Sequence, residues 1–219
     1  MPKTFSKPWR SKLAEFWNSL LTEKSWKVLI DISLEHFEFI VIGGWAAYLW
    51  TGLHKSKDLD IALTDIKSVN FLKQKYNLKK NDRLKKYEIS FDEIDVDIYV
   101  PYFSELPIPI EDLKQYSTKI ENLNVVNPEI LLILKQGAEL DRGKSVKGEK
   151  DRIDIMTLLF FTDVDFKFYL SLLKKYKLEP YFAKLKEIIA DFKDYCYLNL
   201  NPREFKLKRD KILKRLKEA

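Results

Sequence analysis

The sequence predicts an α+β protein, with a mixed sheet and flanking helices in residues 1–126 and a helical bundle in residues 127–219. Three observations lead to this reading. Short β-rich runs in the first part alternate apolar and polar residues, the period of a half-buried strand. Segments of helical period lie before and between those runs. From Asn127-Pro128 onward the apolar residues recur at helical spacing alone. The boundary is placed at Pro128 because proline suits the first position of a helix.

Taken in order, the first 35 or so residues have helical spacing, with Leu13, Phe16, Trp17, Leu20 and Leu21 followed by Trp26, Leu29, Ile30 and Ile32. Residues 37–42 form a β-rich run that ends at Gly43-Gly44, and residues 45–50 follow as a short helix. Residues 59–63 are a second strand, and Thr64-Asp65 reads as the cap of a helix reaching about residue 76. Residues 87–91 and 94–100 are strands joined by the short link Phe91-Asp92-Glu93, which predicts an antiparallel hairpin; Pro101 stops the second one. A loop with Pro107 and Pro109 leads to a short helix and a strand over 119–126. Helices are expected over 128–142, 148–161, 163–176, 178–196 and 201–218.

The chain has 219 residues, 46% hydrophobic and 33% charged, a globular composition long enough to bury a core. Its one cysteine, Cys196, excludes an internal disulfide and reads as a small packing residue between Tyr195 and Tyr197. Lys3, Lys7 and Arg10 have no apolar stretch behind them, so no signal peptide is expected. The longest apolar run, residues 39–53, is broken by glycines and is shorter than the ~20 residues that span a bilayer. A cytoplasmic protein without membrane contact is the expectation. The formal charge of +6 suits a phosphate-bearing partner. Much of that excess lies in Lys206, Lys208, Arg209, Lys211, Lys214, Arg215 and Lys217, where a solvated helix face explains it as well as RNA does.

Chemistry concentrates in three places. In Lys57-Asp58-Leu59-Asp60-Ile61, residues two apart on a strand share a face, so Asp58 and Asp60 aim two carboxylates at one spot. Their repulsion is relieved by a cation, and hard oxygen ligands suit Mg²⁺. Alone, such a pair is more often the wet face of a sheet. In Ile42-Gly43-Gly44-Trp45, two glycines before a helix let the backbone approach a phosphate, although for such a pair alone an ordinary tight turn is the commoner explanation. In Ile94-Asp95-Val96-Asp97-Ile98, Asp95 and Asp97 share one strand face, and either would complete a three-carboxylate cluster beside Asp58 and Asp60. Three carboxylates fit two metals roughly 3.5–4 Å apart.

Together these features resemble the nucleotidyltransferase signature of the DNA polymerase beta superfamily. Gly43 and Gly44 match its glycine pair, Asp58 and Asp60 its two metal ligands, and Asp97 its third carboxylate, with Asp95 the alternative. Lys55-Ser56-Lys57 resembles the basic, hydroxyl, basic lead-in of that signature. In the helical half, Lys135 and Arg142 lie seven residues apart, followed by Lys150-Asp151-Arg152-Ile153-Asp154. This is similar to the pattern of bacterial and archaeal nucleotidyltransferases related to abortive-infection (AbiEii-type) toxins and toxin–antitoxin systems. The resemblance, over roughly residues 38–161, implies that Lys55, Ser56, Lys135 and Arg142 contact the nucleotide, and that Asp151 and Asp154 are structural or capping. It further implies a Mg²⁺ (or Mn²⁺) cofactor and an NTP such as ATP as substrate. The acceptor would be a tRNA 3′ end, a partner protein or a small molecule.

Rival chemistries find no support. His36 and His54 are the only histidines, against a histidine triad or zinc site, and no Gly-x-x-x-x-Gly-Lys-Ser/Thr loop is present. Trp45, Tyr48 and Trp50 could stack a base, with core packing expected for at least two of them. The alternative from another class is a non-catalytic nucleotide- or partner-binding protein, against which the clustered carboxylates argue.

Overall fold

The computed structural model describes residues 19–219. Leu13, Phe16 and Trp17, and the basic Lys3, Lys7 and Arg10, lie outside the described residues. The first described element is α1 (Ser19–Ser33). The apolar run Phe-Ile-Val-Ile forms β1 (Phe39–Ile42), buried along its whole length as a central strand should be. It passes directly into α2 (Gly43–Thr51), and β2 (Leu59–Leu63) and α3 (Ser68–Lys75) follow. Next come β3 (Lys79–Asn81), β4 (Lys86–Phe91) and β5 (Ile94–Tyr99). A 3₁₀ turn (Ile110–Tyr116) leads to β6 (Ser117–Ile120) and β7 (Leu123–Val126). After β7 the described chain is helical or turn: α4 (Pro128–Arg142), α5 (Val146–Phe161), α6 (Phe166–Lys175), α7 (Pro180–Asp191), a 3₁₀ turn (Tyr195–Leu198) and α8 (Pro202–Glu218).

The α+β class holds. The seven strands form one mixed sheet in the order β3-β4-β5-β2-β1-β7-β6. β2 runs antiparallel to β1 and parallel to β5, and β4 runs antiparallel to β5, as the short Asp92-Glu93 link requires. The core side of the sheet is lined by Leu59, Ile61, Val96 and Ile98, all essentially inaccessible. Trp45 is also fully buried; its indole N–H donates to Ser25 Oγ at 2.8 Å and ties α2 to α1. Trp50 donates to Val126 O at 2.8 Å, so both tryptophans serve packing. α4 and α5 pack on each other and on α2, which sets the first turns of α5 beside the start of α2. None of the described helices is long and apolar enough to cross a membrane.

Several boundaries differ from expectation, each for a local reason. The strand expected over 119–126 is a hairpin, β6 and β7, turned at Glu121 and Asn122, which both adopt left-handed backbone (φ 49° and 66°). β3 is all polar, so no alternation announces it; its pairing with β4 makes it a strand. α3 starts at Ser68 because Asp65 accepts from Lys67 N in a turn before it. α6 is capped by Asp165, later than expected, and α7 stops at Asp191. α5 is capped by Ser145, so neither Asp151 nor Asp154 has the capping role.

Candidate active site

The site is built where β1 turns into α2. Gly43 has φ +67°, a left-handed conformation open to glycine at little cost. A Cβ there would stand 2.1 Å from Asp60 Oδ2, so the carboxylate occupies the space a side chain would need. Gly44 makes room for two more groups, because its Cβ would lie 2.5 Å from Ser56 Oγ and 3.2 Å from Lys150 Nζ. Lys150 donates to Ser56 Oγ at 3.3 Å. Asp60, Ser56 and Lys150 thus converge on the first turn of α2, where backbone N–H groups lack intrahelical acceptors.

Strand register supplies the second carboxylate. Asp60 on β2 is the direct partner of Asp97 on β5, and Asp97 is the partner of Glu88 on β4. Asp95, exposed and two residues earlier on β5, accepts from Ser90 Oγ at 3.0 Å instead. Burial, and then the Asp60 charge, push the Asp97 carboxyl up to about 6, against the pull of Lys86. Lys86 Nζ lies 2.6 Å from Asp97 Oδ2. Tyr99, on the same strand, donates to Asp60 Oδ1 at 3.5 Å, and burial followed by Asp60 raises its phenol.

Asp58 corrects the simple strand argument. β2 begins at Leu59, and Asp58 sits half-buried in the bend before it, outside the ladder that aligns Asp60 with Asp97. Among the described residues, no group of three or more His, Cys, Asp or Glu side chains is gathered closely enough to hold a metal. Two aligned carboxylates with a nearby lysine are what the register delivers.

Lys135 and Arg142 share a face of α4, as their spacing predicts, and meet over one aspartate of α5. Lys135 Nζ is buried, 2.5 Å from Asp154 Oδ2 and 3.4 Å from Asp151 Oδ1. Arg142 donates to both oxygens of Asp151, at 2.8 and 3.1 Å. Burial works against the Lys135 ammonium, but Asp154 and Asp151 outweigh it and raise its pKa. Lys150 shifts the other way, lowered by burial in spite of Asp154, with Lys135 adding to the fall. The charge of Asp60 also acts, as a smaller influence, on Lys135, Arg142 and Lys150. Lys55 faces elsewhere: it pairs with Glu23 on α1 and lies over the Tyr48 ring. A groove of about 650 Å³, lined in part by Arg142, Lys144, Ser145 and Arg152, opens beside the cluster.

Lys150, Lys86 and Tyr99 carry no assigned contact in the sequence reading. Lys150 enters the sequence only within the Lys150-Asp151-Arg152-Ile153-Asp154 stretch, with no role of its own, and Lys86 has no local feature that marks it. Their places depend on helix packing and on strand register, neither of which has a local signal.

No protein-family model matches the chain, and no curated protein matches it. Solved structures do resemble it. A candidate nucleotidyltransferase from Helicobacter pylori is 17% identical, covering 91% of this chain and 96% of that one at a TM-score of 0.49. A candidate nucleotidyltransferase from Thermotoga maritima is 19% identical, covering 59% and 91%, at a TM-score of 0.41. The Megavirus polyadenylate synthase is 15% identical, covering 68% and 32%, at a TM-score of 0.40. At such identities and scores the likeness carries no functional weight.

Proposed function

We propose that the chain is a Mg²⁺-dependent nucleotidyltransferase of the DNA polymerase beta type, moving a nucleoside monophosphate from an NTP to an acceptor hydroxyl. The observation that carries this reading is the alignment of Asp60 with Asp97 beside the Gly43-Gly44 turn, with Ser56 and Lys150 at the same turn. Two aligned, half-buried carboxylates repel each other, and burial together with the Asp60 charge pushes the Asp97 carboxyl up to about 6 in spite of Lys86. One or two carboxylates, completed by the phosphates of a bound nucleotide and by water, are the ligand set that Mg²⁺ takes. Asp58, Asp60 and Asp97 are the residues that would hold it. When bound, such an ion supplies charge neutralisation at the phosphates.

The chain's own groups do the rest. The free N–H groups at the start of α2, with Ser56 and Lys150, receive the phosphates. Lys135 and Arg142 pair with Asp154 and Asp151 on α5, the helix that carries Lys150, and so hold that helix against α4. Asp97 takes the proton from the acceptor hydroxyl, whose oxygen attacks the α-phosphorus while the bond to the β-phosphate breaks and pyrophosphate leaves. Residues 1–126 form the catalytic unit and 127–219 a helical unit that contributes Lys135, Arg142 and Lys150.

The test is incubation of the chain with Mg²⁺, each labelled NTP in turn, and total tRNA or lysate. Label should pass to a macromolecule, and Asp60→Asn should lower transfer by roughly 10²–10³ without changing the melting temperature much. Mg²⁺-dependent nucleotide binding with no transfer to any acceptor would instead establish the passive binder. A tRNA acceptor would show binding that falls steeply with salt, whereas a protein or small-molecule acceptor would not.

A further inference from the structure

Lys86 is built into the carboxylate row. It lies on β4 two residues before Glu88, so both side chains share the sheet face that bears Asp97 and Asp60. Its ammonium is 2.6 Å from Asp97 Oδ2 and 3.1 Å from Glu88 Oε1, and its side chain is only 13% exposed. Three neighbouring strands therefore present Glu88, Asp97 and Asp60 side by side, with a lysine inserted among them. Taking an ammonium this far out of water is costly unless opposite charges hold it, and here two do. It is more than a loose surface contact, because leaving Asp97 means giving up Glu88 as well.

A second divalent ion at Asp97 would have to compete for the oxygen that Lys86 already holds. Two cations cannot stand together there without strong repulsion in a partly desolvated place. We infer that Lys86, which holds Asp97 Oδ2, fills one of the two cation positions, so that the chain takes a single divalent ion among Asp58, Asp60 and Asp97, with Lys86 as the positioning residue of Asp97. This rests on the metal-site reading under Proposed function.

The experiment counts Mn²⁺ bound to the full-length chain, by equilibrium dialysis and electron paramagnetic resonance. Wild type should bind one ion with an uncoupled spectrum. Lys86→Met, which keeps the stem and removes the charge, should bind two with spin coupling between them, and Lys86→Arg should bind one. Two coupled ions in wild type, or one ion in a folded Lys86→Met, overturns the inference while leaving the metal site standing. If Lys86→Met does not fold, Lys86→Gln takes its place and the wild-type count decides on its own. No Mn²⁺ bound by wild type, or binding indifferent to Asp60→Asn, overturns the metal site itself.

Discussion

Gly43 and Gly44 are needed for different reasons. At Gly43 the obstacle is conformational as well as steric, since its backbone is left-handed and Asp60 fills the side-chain space. Gly43→Ala should cost about 1–2 kcal/mol from the left-handed backbone before the clash is added, read as a lower urea midpoint. At Gly44 the backbone is ordinary, and a methyl group would instead push Ser56 and Lys150 aside. Gly44→Ala should therefore weaken nucleotide binding more than it lowers stability. Equal loss in both would show that Ser56 and Lys150 serve the fold and not the ligand. The Asp95 and Asp97 alternatives are also separated at this scale: both share a strand face, but only Asp97 is aligned with Asp60.

At the level of elements, the pairing of α4 with α5 brings the cations to the sheet. Lys135 is a buried ammonium whose burial is tolerated because Asp151 and Asp154 flank it. Lys135→Met leaves Asp154 buried without the ammonium that pairs with it, while Asp151 keeps Arg142, and breaking such a buried pair from one side costs about 3–5 kcal/mol. Urea unfolding measures this, and a loss below about 1 kcal/mol would mean that the pair is effectively solvated. The surface pairs Lys24–Glu93 and Lys114–Glu38 are exposed on both sides, and their removal should leave the midpoint unchanged. Part of the basic run in α8 is likewise structural: Lys208 donates to Phe160 O at 3.0 Å, and Arg215 to Asp163 and Val164 O at 2.8 Å. Lys206, Lys211, Lys214 and Lys217 remain exposed on the surface of α8, with Lys214 beside Glu218.

For the whole molecule, the sheet is complete at Val126, yet the site is not. α5 covers α2 and delivers Lys150 to Gly44, so the two parts share both a packing surface and the chemistry. A chain ending at residue 126 should bury Trp45 and its neighbours poorly and lose its fixed tertiary packing. The measurement is near-ultraviolet circular dichroism, in which the signal of the buried tryptophans disappears while backbone ellipticity persists. A cooperative melt of that fragment would show that the helical unit is dispensable for folding.

Much was legible along the chain because it depends on neighbours in sequence. The bounds of β2, the β4–β5 hairpin, the helix that opens at Pro128 and the Gly-Gly turn all follow from residue period and turn chemistry. That Asp95 and Asp97 share a face was legible for the same reason, since alternation sets which residues of a strand lie together, but Asp58 precedes β2 and alternation does not place it. Long-range pairing settled the remainder: β3 is a strand only because β4 accompanies it, and Asp97 is distinguished from Asp95 only by register with β2. Lys86 and Lys150 reach the carboxylates through partners 11 and 94 residues away, Asp97 and Ser56. Contacts over such separations leave no period in the sequence, because they arise from how strands align and helices pack.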